Sequence, residues 1–143
     1  MLIRPYTVDF YDDVMALMHR TNGISIREAD SHPATERYLE RNPGLSFLCI
    51  VGEQIVGCAM CGHDGRRGYL QHVIVDETYR CRGIAAELVE HCLAALHEIG
   101  IEKTHIDVFI DNDLANDYWT RRGWKKRDDI YRYSLNRSGR ENV

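Results

Sequence analysis

Three apolar runs follow one another at 46–51, 55–62 and 69–75, separated only by Gly52-Glu53-Gln54 and by a glycine-bearing turn over 63–68. Strands joined by turns this short must lie side by side and antiparallel. That requirement removes the all-helical folds at once. Immediately after Val75 the period changes. Ile84, Leu88, Val89, Cys92, Leu93 and Leu96 recur on one helical face, and Gly100 stands where such a helix stops. A meander that feeds a long amphipathic helix is the frame for everything else in the chain.

The flanking segments complete an α/β pattern. A short strand over 2–4 ends at Pro5, and Asp9 is placed to cap a helix carrying Phe10, Val14, Leu17 and Met18. Residues 22–31 are polar and read as a loop, and 35–41 read as a second short helix closed by Asn42-Pro43-Gly44. Beyond the long helix, 104–110 reads as a strand joined to 69–75 by a right-handed parallel crossover. Asp111 or Asn112 then caps a helix with Leu114, Ala115, Tyr118 and Trp119, Gly123 ends it, and 130–135 reads as a last strand. The expected architecture is one α/β domain over 1–143, a mixed sheet of about six to seven strands with about four helices. Its last eight or so residues read as a frayed tail.

The chemistry concentrates where strand becomes helix, in Val73-Ile74-Val75-Asp76-Glu77-Thr78-Tyr79-Arg80-Cys81-Arg82-Gly83-Ile84-Ala85-Ala86. Small residues at 83, 85 and 86 let a ligand reach the backbone. The unpaired N–H groups of the first helical turn and the positive end of the helix dipole then face it, a ready site for a pyrophosphate. Arg80 and Arg82 add cationic donors. A packing turn is the plain alternative. A dinucleotide fold fits poorly, because one glycine stands where three glycine-like positions are wanted and the turn comes after three antiparallel strands.

Arg80-x-x-Gly83-x-Ala85 resembles the Gln/Arg-x-x-Gly-x-Gly/Ala signature of the GNAT superfamily of acetyl-CoA-dependent N-acetyltransferases. Asn112-x-x-Ala115, with Tyr118-Trp119-x-x-x-Gly123-Trp124, is similar to that family's second motif. The resemblance covers residues 1–135. It implies a GNAT-like fold, acetyl-CoA as acyl donor and a primary amine as acceptor. It also implies that Val73, Ile74 and Val75 offer main-chain groups to the pantetheine arm and acetyl carbonyl. Arg80, Cys81, Arg82, Gly83, Ile84, Ala85 and Ala86 would surround the pyrophosphate, with Asn112 and Trp119 as further cofactor-binding positions. Asn112 is equally a helix N-cap, and both roles can hold together.

Acetyl transfer to an amine at neutral pH requires a base, because an alkyl ammonium has a pKa near 10.4. By resemblance to N-terminal-alanine acetyltransferases, the base position falls on Asp107, which opens an acidic run with Asp111, Asp113 and Asp117. Tyr69, Gln71 and His72 occupy strand positions where some family members place a base, and His72, with the most useful unperturbed pKa, is the second candidate. The family's usual general acid, a Tyr, is replaced by Trp119, whose indole is no practical acid. Tyr118 next to it is the candidate catalytic acid, with Tyr131, Tyr133 or water as substitutes. The missing Tyr also motivates a second class of function, an acyl-CoA-binding module with little or no transfer.

Net charge settles what composition can. With 18 Lys and Arg against 22 Asp and Glu, the chain carries −4, so nucleic-acid binding is not expected even though eight of the cations fall in 121–143. No apolar run approaches the ~20 residues of a membrane helix, and the N-terminus lacks a signal-peptide core. A cytoplasmic protein is therefore expected, its five cysteines free thiols. Cys58-x-x-Cys61 has no second ligand pair, so no metal is expected. A homodimer stays open, since a free strand edge can join two copies.

Overall fold

The computed structural model describes all 143 residues, in two compact units, Met1–Ile106 and Asp107–Val143. In the first unit the apolar runs become β2 (Phe47–Val51), β3 (Gln54–His63) and β4 (Gly68–Val75). With β1 (Leu2–Pro5) and β5 (Thr104–Ile106) they form one sheet in the order β1-β2-β3-β4-β5. Neighbours are antiparallel except β4 and β5, which are parallel. That is the strand pair the long helix, α3 (Ile84–Glu98), connects.

The sheet is covered on both faces. On one, α1 (Tyr11–His19) brings Val14, Leu17 and Met18 against Leu48, Cys58, Met60 and Ile74. On the other, α3 buries Ile84, Leu88, Cys92 and Leu96. Gly57 permits this close approach, because a Cβ there would stand 3.0 Å from both Ile84 Cγ2 and Leu88 Cδ1. Burial pushes the Cys58 thiol up to about 12, and the contact with Cys61 together with burial raises Cys92, so these cysteines are apolar filling rather than thiolates.

Several expected boundaries move. Asp9 does not cap α1; it lies inside a 3-10 turn, Val8–Phe10, and α1 starts at Tyr11. The second helix, α2 (His32–Arg41), starts three residues before 35. Ser31 accepts from the Ala34 N–H, and Pro33 sits in the first turn, where no N–H is needed. The polar loop contains a 3-10 turn at Glu28–Asp30.

Two strand expectations need correction, so the sheet has five strands rather than six to seven. The strand over 104–110 ends at Ile106, and 130–135 is not a strand. Tyr131, Tyr133 and Leu135 alternate as a strand would, yet all three are more than 80% exposed. Alternation supplies a face and no partner edge, and without a ladder there is no strand. The second unit holds one helix, α4 (Asp113–Arg121). No helix is long and apolar enough to cross a membrane.

Candidate active site

The end of β4 is fixed by a charged joint. The Asp76 N–H donates to the Val56 carbonyl at 2.8 Å. Its carboxylate accepts from Arg20 Nε (2.8 Å), the Thr78 N–H (3.0 Å) and Thr78 Oγ1 (2.9 Å), and Arg20 also donates to the Ile55 carbonyl. The Arg20 guanidinium, together with the Thr78 donors, holds Asp76 below the usual carboxylate range although the residue is buried. This joint sets the direction in which the chain leaves the sheet.

From the joint the chain runs into an open main-chain cradle. A 3-10 turn, Glu77–Tyr79, leads into exposed residues 80–83. Cys81 (φ 62°) and Gly83 (φ 79°) both take left-handed conformations, the first at a cost of about 1–2 kcal/mol for a residue with a Cβ. Gly83 is the N-cap of α3, and the first intrahelical bond there is from the Glu87 N–H to the Gly83 carbonyl. The N–H groups of Ile84, Ala85 and Ala86 thus project from a 15-residue helix with no intrahelical acceptor. Arg80 donates to the Val75 carbonyl and Arg82 to that of Thr78, with Arg82 also stacked on Tyr79, so both cations are held at the rim.

The second component is a free strand edge. β5 pairs with β4 only at Gly68, Tyr69 and Leu70. From Gln71 to Val75 no strand occupies that edge, and the backbone groups of Val73, Ile74 and Val75 lie between it and the β3 ladder. An extended ligand arm with amide groups suits such an edge. Its diphosphate suits the helix N-terminus a few residues on. The residues therefore fit a pantetheine nucleotide.

His72 occupies the irregularity between these parts. Cys58 pairs with Ile74 but Met60 with Gln71, so His72 and Val73 together face Ala59: a β-bulge, with His72 at φ 47°. Its Nε2 lies 2.7 Å from Oδ1 of Asp30. Asp30 is 9% exposed and receives the Arg27 N–H on Oδ2 at 2.9 Å. Burial pushes the Asp30 carboxyl up, but the His72 and Arg27 hydrogen bonds outweigh it and leave the pKa below the ordinary value. Asp30 is the partner that sequence reasoning missed. Nothing in a polar loop distinguishes one carboxylate from its neighbours until the fold sets His72 beside it. Tyr69, on the same strand, donates to Asp64 at 3.3 Å, and Gln71 is exposed.

The remaining candidates all belong to the second unit. Asp107 is exposed and accepts from Arg132 at 3.1 Å. Asn112 Oδ1 caps α4 by accepting from the Ala115 N–H at 3.1 Å. Trp119 is buried with its ring edge-on to Tyr118 (5.1 Å) and Trp124 (4.8 Å), and Tyr118 is half-buried. Tyr131 and Tyr133 are exposed.

A helix N-terminus with free N–H groups beside an unpaired strand edge fits a nucleotide with an amide-bearing arm, as acyl-coenzyme A is. Comparison with known proteins gives the particular family: residues 11–124 match the model of the acetyltransferase (GNAT) family. The chain is 24% identical over 139 residues to N-alpha-acetyltransferase 30 of Schizosaccharomyces pombe, covering 94% of this chain and 90% of that one. It is 34% identical over 108 residues to N-alpha-acetyltransferase 30 of Xenopus laevis, 71% of this chain but only 40% of the relative. In structure it is similar to the PaiA N-acetyltransferase of Thermoplasma acidophilum in complex with coenzyme A. That likeness has a TM-score of 0.80 at 14% identity, over 90% of this chain and 92% of that one. The chain belongs to the GNAT acetyltransferase family. It is an N-acetyltransferase that takes its acetyl group from acetyl-CoA.

Proposed function

We propose that the acceptor is the α-amino group of a peptide or protein N-terminus, and that the units work as one N-acetyltransferase domain over 1–143, in the cytoplasm. The observation carrying the acceptor is the likeness to an N-alpha-acetyltransferase over nearly the whole chain. The family match crosses the boundary after Ile106, which supports one working domain. Five free cysteines accord with a reducing compartment.

Acetyl-CoA, when bound, supplies a thioester carbonyl whose thiol is a fair leaving group. Main-chain groups of Val73, Ile74 and Val75 hold the acyl arm. Arg80, Cys81, Arg82, Gly83, Ile84, Ala85 and Ala86 hold the diphosphate, and Asn112 and Trp119 are the second unit's candidates for the cofactor, on the family resemblance. His72 accepts a proton from the incoming amine, and Tyr118 or water returns one to the departing sulfur. Asp107 is the alternative base. The Arg132 contact favours His72, because Oδ1 of Asp107 is already engaged with the guanidinium.

The reading is tested by incubating the protein with acetyl-CoA and short peptides while free thiol is monitored. Release is expected with an unblocked N-terminus. None is expected with the same peptide N-terminally blocked and carrying a lysine. Release with the blocked peptide, or only with small polyamines or amino sugars, overturns the acceptor.

A further inference from the structure

We infer that Asp30 is a positioning residue that fixes the tautomer of His72, so that Nδ1 is the proton-accepting atom of the acetyl transfer. This rests on the proposed function, in which His72 takes the proton of the amine. An ionised carboxylate only accepts hydrogen bonds, so the 2.7 Å contact makes Nε2 the protonated ring nitrogen and leaves the lone pair on Nδ1. The His72 side chain is 20% exposed and Nδ1 makes no hydrogen bond within the protein, so that lone pair is available to take the proton of the incoming amine.

Asp30 itself cannot drift. Its Oδ2 takes the Arg27 N–H, its own N–H donates to the Arg27 carbonyl, and its carbonyl accepts from Tyr11 Oη at 2.6 Å and from Thr35 Oγ1. The orienting carboxylate is therefore tied to α1 and to the start of α2. On the other side, the bulge turns the His72 ring out of strand alternation. Leu70 pairs with Cys61, which contacts Cys92 of α3, whereas Ile74 packs on the α1 face. The residue inserted between them carries its ring to Asp30, at a left-handed φ that strand residues avoid.

In the transfer, the amine nitrogen forms the C–N bond and the carbon–sulfur bond breaks. The amine proton moves to Nδ1, and the thiolate takes a proton from the acid or from water. The imidazolium formed is offset by the Asp30 carboxylate while the Nε2 proton stays in place. This is the division of labour of a histidine–carboxylate pair, in which the carboxylate orients and never itself takes the proton.

Asp30→Asn makes the inference testable. The Arg27 N–H is a fixed donor, so the amide oxygen must turn to it and the NH2 group to His72. Nε2 must then accept, and the ring proton moves to Nδ1, the wrong atom for catalysis. With 15N-histidine-labelled protein, long-range 1H–15N spectra should show Nε2–H for His72 in the parent and Nδ1–H in Asp30→Asn, the resonances assigned with His72→Gln. The turnover number kcat should fall at least 100-fold, with KM for acetyl-CoA within about twofold. The double variant should be no slower than His72→Gln alone. Parental kcat in His72→Gln, or in an Asp30→Asn protein whose His72 has flipped, overturns the inference, as does Nδ1–H in the parent. Should the parent acetylate only some other amine, the peptide reading falls while the tautomer and the kcat ratio with that amine still decide the role of Asp30.

Discussion

Within fifteen residues, 72–86, the two proposed recognition regions are built from different materials. At 80–86 the groups on offer are backbone N–H donors on the first turn of α3, and the side chains at 83, 85 and 86 matter for being small. At residue 72 the backbone is strained to deliver one imidazole, and a buried carboxylate from a distant turn holds it. A main-chain cradle tolerates many side chains but few conformations. A side-chain pair tolerates neither a change of chemistry nor loss of its partner. The first therefore leaves a short signature in the sequence, and the second only an isolated histidine.

The contrast can be broken most directly by crossing two variants. His72→Gln should lower kcat by about 10²–10⁴ with the Kd for acetyl-CoA nearly unchanged. Gly83→Val forces a β-branched residue to φ 79° at about 2 kcal/mol or more, and should raise that Kd at least ~10-fold by calorimetric titration. If both variants change the same parameter, the two regions are not separate.

Next in size is the joint beneath them. Arg20→Met leaves Asp76 buried without its guanidinium and should cost about 1–3 kcal/mol in urea unfolding at pH 7, the guanidinium being about a third exposed. The carboxyl pKa is lowered in the folded state, so its contribution is present above the ordinary value of 3.8 and is lost as pH falls through the lowered value. The variant should therefore lose less further stability than the parent on acidification.

A smaller effect isolates the strain at the bulge. His72→Gly should be more stable than His72→Ala by about 1 kcal/mol in thermal unfolding, the reverse of the usual order in a strand, because φ is positive there. The smallest concerns Tyr38, whose hydroxyl is buried without a partner. Tyr38→Phe should raise stability by up to about 1 kcal/mol, seen as a few degrees in Tm.

The meander, α3 and its glycine-led N-terminus are legible in the sequence because each is set by near neighbours along the chain: short turns, a 3.6-residue period, a small residue at a cap. The Asn112 cap is legible for the same reason. The segment 130–135 reads as a strand and is not one, because pairing depends on a distant edge that alternation does not encode. The Asp30–His72 pair is half legible. The histidine draws attention by its chemistry, but the bulge that redirects it depends on how β3 meets β4, and its partner is 42 residues away. Asp9 loses its capping role to a local competition in which the 3-10 turn at Val8–Phe10 absorbs the first residues of the helix.

The extra residue in β4 makes that strand a crank rather than a rod: the part before the bulge is geared to α3, the part after it to α1. Substitutions along such a strand are adjustments, but a change of length is a half-turn. Deleting His72 would straighten the ladder and leave Ile74 and everything downstream on its present face, with the imidazole lost, whereas an insertion elsewhere in the strand would turn the cradle to the wrong side. Among relatives, insertions and deletions should therefore gather in the loops at either end of this strand and spare its interior. A relative with the bulge one position earlier would hand Gln71, not a histidine, to the turn that carries Asp30.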